Sequence, residues 1–115
     1  MDKDLYSELI GMIDQQFLVD KLKEMIAIKS ENPFDEKPRE GQREKEMGEY
    51  LCEAMRSFDL EVYSKDGRPD RPNVFGFRKG GRDGPTLILC GHLDTARTDG
   101  YPDAYQVVEK TGRIF

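Results

Sequence analysis

The feature that most constrains this chain is a single apolar stripe between residues 42 and 58. Met47, Tyr50, Leu51, Ala54, Met55 and Phe58 recur at helical spacing, with Glu, Lys and Arg filling the other positions. A helix with one apolar face must bury that face against another layer. The segments that follow offer a sheet. Residues 60–64 (LEVYS) alternate, residues 73–78 (NVFGFR) form a short strand, and residues 86–90 (TLILC) read as a buried strand. The chain is therefore expected to be α/β, with helices packed on a mixed sheet. Apolar residues make up 37% of its 115 residues and charged residues 36%, so a modest core depends on where the apolar residues fall.

Two helical pieces are predicted ahead of the stripe. Tyr6, Leu9, Ile10 and Ile13 share one face, and Leu18, Leu22, Met25 and Ile26 share another. Gly11 and Asp14 mark a break between them, with Asp14 placed to cap the second helix. Residues 29–41 hold two prolines and no periodicity, and read as a loop. Residues 65–72 read as a turn-rich link. The glycine-rich residues 79–85 lack the pattern and the following helix of a phosphate loop, so a hairpin turn between strands is expected there. Residues 104–115 read as one or two short strands around a Thr-Gly turn. The whole chain is expected to be a single domain over residues 1–115. It ends on an apolar residue within a strand-like segment, which suggests the incomplete amino-terminal part of a larger domain.

The formal net charge is −5, from 23 acidic and 18 basic side chains. No Lys/Arg stripe is present, so no nucleic-acid partner is expected. The longest apolar run, Leu87 to Cys90, is far too short to span a bilayer, and the charged start lacks a signal region. No membrane partner is expected, and the expected location is the cytoplasm. Cys52 and Cys90 fall in a predicted helix and a predicted strand. They read as reduced thiols, with Cys52 off the helix stripe and Cys90 buried.

The only histidine, His92, stands just past the predicted strand 86–90, with Asp94 two residues on. In open α/β sheets that carboxyl edge is where ligands bind. An imidazole can ligate zinc through one nitrogen while the other donates to a carboxylate, which fixes the tautomer. A His-x-Asp pair can provide both parts. The spacing alone leaves open a metal ligand or a strand-end histidine with no ligand. Nucleophilic chemistry fits less well. Cys90 ends an apolar run, and none of Ser7, Ser30, Ser57 and Ser64 sits in a nucleophile elbow.

Residues 87–97, "LILCGHLDTAR", resemble the first zinc-site motif of the aminoacylase / acetylornithine deacetylase / succinyl-diaminopimelate desuccinylase group of metallopeptidases. The surroundings agree. "IAIKSENP" is similar to the family's opening helix and Ser-x-Asn-Pro loop. "EGQREKEMGEYLCEAMRSFDLEV" resembles its next helix and strand, "RPNVFGFRKGGRDGPTLILCGHLDT" the hairpin leading into the motif, and "VVEKTGRIF" a later strand. Ala96 and Arg97 depart from the family's Val-Pro. The resemblance implies that His92 ligates one of two zinc ions and that Asp94 is the active-site aspartate orienting and polarising it. It implies hydrolysis of an amide in a small acylated amino acid or peptide, with a metal-bound water as nucleophile. It also implies that the other ligands and the general base lie beyond these residues, so that the isolated chain is inactive and does not retain zinc. A second expectation is a non-catalytic remnant or interaction module that self-associates through unpaired strand edges.

Overall fold

A computed structural model describes residues 3–34 and 42–115. Over the described residues the chain is a small α/β protein with three helices and two small antiparallel sheets. Helix α1 runs Lys3–Gly11 and α2 runs Gln15–Ile26, with the expected break between them. Asp14 caps α2 by accepting from the Phe17 N–H at 3.0 Å. Helix α3, Glu44–Ser57, is the helix of the apolar stripe. Part of the loop expected over 29–41, residues 35–41, lies outside the described residues.

Strands β1 (Glu61–Arg68) and β2 (Arg71–Phe77) form an antiparallel hairpin, and the turn-rich link expected over 65–72 is instead mostly strand. Opposed pairs alternate between faces. Val62, Ser64 and Asp66 lie opposite Gly76, Val74 and Pro72 on the face that α3 covers. Tyr63 and Phe75 stack at 4.7 Å on the other, open face. The helix face against the hairpin is rotated from the one read in the sequence. Gly48 and Cys52 are buried with Met47, whereas Phe58 is half exposed. Gly48 is required by this approach, because a Cβ there would collide with Pro72 Cγ. Glu44 reaches Arg71 across the same contact at 2.7 Å.

Helix α2 lies alongside α3. Phe17 meets Phe58 edge-on at 5.7 Å, and the Tyr50 hydroxyl donates to Glu24 at 2.8 Å. The second sheet is the expected terminal hairpin, β3 (Glu109–Lys110) and β4 (Arg113–Ile114), joined by Thr111 and Gly112. Both turn residues have positive φ, as a type I′ turn demands.

Further expectations are overturned. Residues 86–90 form no strand, and no hairpin joins them to β2. Leu87, Ile88 and Leu89 are 82, 79 and 88% exposed, and Cys90 is exposed rather than buried. The physical reason is lack of a partner. No backbone hydrogen bond joins this run to the other described residues, and an apolar strand is stable only when its edges and faces are covered. The sheets are antiparallel rather than mixed, and among the described residues the parallel pairing is one isolated bridge, Glu31 with Thr95. The radius of gyration, 17.2 Å, exceeds the roughly 13 Å of a compact chain this long, consistent with a small core. Cys52 and Cys90 are both free thiols, as expected. No described helix is long and apolar enough to cross a membrane.

Candidate functional site

The isolated parallel bridge assembles the site. Helix α2 stops at Ile26, and the chain leaves it through Ile28 and the fully buried Ser30. Arg43 pins this exit, donating from its guanidinium to the Ala27 carbonyl at 2.8 Å and from its backbone to the Lys29 carbonyl at 2.7 Å. Residues 30–32 are thereby presented as an extended edge, and residue 95 pairs with it. The Thr95 N–H donates to the Ser30 carbonyl and the Asn32 N–H donates to the Thr95 carbonyl, both at 2.9 Å. The His92 segment is thus held by a loop more than sixty residues earlier.

His92 and Asp94 are brought together as the spacing suggested. His92 Nδ1 lies 2.7 Å from the Asp94 carbonyl oxygen and 3.2 Å from Asp94 Oδ1. A carbonyl oxygen only accepts, and so does an ionised carboxylate, so Nδ1 must carry the proton. In the neutral ring that leaves a lone pair on Nε2. The ring is 83% exposed, whereas the Asp94 side chain is 25% exposed. Asp94 Oδ2 is taken by the side-chain amide of Asn32, which donates to it. Burial pushes the Asp94 carboxyl upward, but the bonds from Asn32, its own backbone and His92 outweigh that and hold it below the usual aspartate range. Asp94 is therefore an ionised carboxylate with both oxygens engaged by protein donors.

On the other side of the bridge stands Glu31, whose side chain is 9% exposed. It accepts from the Thr98 N–H at 3.1 Å, from the Thr98 hydroxyl, and from the Tyr105 hydroxyl at 2.8 Å. The Lys29 ammonium lies 3.8 Å away and sits over the Tyr105 ring at 5.8 Å. Burial raises the Glu31 carboxyl, and the bonds from Thr98 and Tyr105, with Lys29 nearby, overcome it and keep the group ionised below its usual range. Burial likewise pushes the Tyr105 phenol up, with Glu31 adding to the shift and Thr98 opposing it. A cleft of about 330 Å³ opens beside this cluster, between Lys29, Glu31, Tyr105 and the turn 98–102.

Asn32, Glu31, Thr98 and Tyr105 carry no role in the residue pattern. The Ser-x-Asn-Pro resemblance names the loop that holds two of them, but their pairing spans more than sixty residues and leaves no local periodicity. Zinc fits this arrangement only in part. Nε2 of His92 is a free imidazole donor, yet no group of three or more His, Cys, Asp or Glu able to hold a metal exists among the described residues. A catalytic zinc takes three protein ligands, so the described residues do not assemble one by themselves. Comparison with protein-family models, with curated proteins and with solved structures found no match to this chain.

Proposed function

We propose that this chain is the amino-terminal part of a metal-dependent amide hydrolase of the aminoacylase / deacetylase / desuccinylase type, acting on small acylated amino acids or peptides in the cytoplasm. The observation that carries the reading is the state of His92. Its Nδ1–H is occupied by Asp94, its Nε2 is left free, and the ring projects from the surface. A histidine that serves only to fill space has no need of an ionised, doubly held carboxylate behind it. The "GHLDT" context and the Ser-x-Asn-Pro loop, which here meet in space through the Glu31–Thr95 bridge, support the same reading. The remaining ligands and the general base come from outside these 115 residues, and Asp94 orients His92 rather than binding metal.

The test is the protein encoded by the reading frame that contains these residues. It should carry further carboxylate and histidine ligands beyond residue 115. It should also hydrolyse N-acyl amino acids or dipeptides only when loaded with metal, with activity lost in His92→Ala. A stop codon directly after Phe115, or hydrolysis unaffected by His92→Ala, contradicts the proposal.

A second reading, a self-associating module without activity, is favoured by the exposure of Leu87, Ile88 and Leu89 on an extended run with unpaired backbone. It expects oligomers in light scattering that dissociate in Ile88→Lys. A monodisperse monomer at high concentration removes it.

A further inference from the structure

Asn32 belongs to a loop far from the histidine motif, yet it holds both sides of the unit that holds His92. Its side-chain amide donates to Asp94 Oδ2, which leaves Oδ1 facing the imidazole. Its backbone N–H donates to the Thr95 carbonyl at 2.9 Å, which fixes the turn bringing the Asp94 carbonyl to 2.7 Å from His92 Nδ1. Its side-chain oxygen is separately engaged, accepting from the Phe34 N–H at 2.8 Å in a local turn. That division of labour orients the amide: the oxygen belongs to the loop and the nitrogen to Asp94.

The geometry points to Asn32 as a positioning residue that selects the Nδ1–H tautomer of His92 and so delivers Nε2 as the free donor atom. This inference rests on the proposed function only for the use of that nitrogen, because the tautomer is a property of the free protein. With Asn32 Nδ2 in place, the Asp94 carboxylate cannot rotate without losing a charge-assisted bond in a part-buried setting. Its Oδ1 therefore stays where the imidazole N–H reaches it. The same bond engages one acceptor site of Oδ2. Without the amide, Asp94 is free to swing toward water, and the imidazole loses one of its two acceptors.

The substitution Asn32→Asp separates this role from a structural one. It keeps an oxygen to accept from Phe34 and so preserves the local turn, but it replaces the donor to Asp94 with a second acceptor. Because the chain has a single histidine, long-range ¹H–¹⁵N correlation spectra of ¹⁵N-labelled protein in alkaline buffer report the ring tautomer with no overlap. The wild type should show Nδ1–H as the major form. Asn32→Asp should lower the Nδ1–H to Nε2–H ratio about fivefold, the effect of one net hydrogen bond. Asp94→Asn should lower it as well. Asn32→Ser, whose hydroxyl can both accept and donate, should give an intermediate ratio and covers the case in which Asn32→Asp does not fold. Unchanged amide shifts for residues 61–77 certify that α3 and its hairpin are intact. An unchanged ratio in both Asn32 variants, or an Nε2–H wild type, overturns the inference. Failure of metal-dependent hydrolysis in the longer protein would instead remove the proposed function and leave the tautomer result standing.

Discussion

Replacing Gly48 with alanine should reverse the sign that helix propensity alone assigns. In an open helix interior, Gly→Ala stabilises by about 1 kcal/mol. Gly48 lies in the middle of α3, and the added methyl would run into Pro72 Cγ, with Val74 Cγ2 3.6 Å away. The pyrrolidine ring is fixed to the β2 backbone and cannot swing aside as a long side chain does. Helix and hairpin must separate by roughly 1 Å to recover ordinary carbon–carbon contact. Overpacking of this kind costs about 1–3 kcal/mol, so the net change after the propensity gain is a loss of up to about 2 kcal/mol. Gly11, the last residue of α1, is the control, because a Cβ there meets nothing within 4 Å. Gly11→Ala should be neutral or stabilising by up to about 1 kcal/mol. Urea unfolding followed by far-ultraviolet circular dichroism gives both values. Adding Pro72→Ala to Gly48→Ala should restore part of the loss. If Gly48→Ala raises the midpoint as Gly11→Ala does, α3 does not sit on β2 as described.

Two further outcomes follow from the site and the terminal hairpin. Glu31 and Asp94 both titrate below their usual ranges, so their stabilisation is present above the ordinary carboxylate values of 4.5 and 3.8. It is lost as pH falls through the lower values of the folded protein. Glu31→Gln should weaken that acid dependence and lower stability at neutral pH by about 1–3 kcal/mol, read by unfolding at several pH values; an identical acid limb would show that Glu31 is not held as described. At Thr111, where a β-branched residue adopts φ of 50°, Thr111→Asn should strengthen the β3–β4 hairpin by about 1 kcal/mol, measured as slower exchange of the Val108 and Phe115 amides, which bond to each other's carbonyls across it. Faster exchange would contradict the positive-φ turn.

Local rules made much of this fold legible, and non-local ones did not. The break at Gly11 to Asp14, the cap on α2 and the Thr-Gly turn depend on neighbours in sequence, and each is found. The α3 stripe gave the helix but not its rotation. Gly48 and Cys52 face the hairpin because a glycine admits the proline ring, a fact about the partner rather than the helix. Residues 86–90 misled for a similar reason. Four apolar residues in a row state what the segment would bury, not that something is there to bury it. At the site, the His92–Asp94 pairing was readable because a single residue separates the partners. The roles of Asn32 and Glu31 were not, since each acts across more than sixty residues through a single pair of extended segments.

The proposed function uses His92 as a metal-binding arm whose free atom is Nε2. Zinc titration of ¹⁵N-labelled protein, followed by long-range ¹H–¹⁵N correlation of the sole imidazole, tests it most directly. Zinc should move the Nε2 resonance while Nδ1 stays protonated, and binding should be weak because one imidazole supplies the site. Zinc that acts on Nδ1, or that leaves both ring nitrogens unmoved, contradicts it.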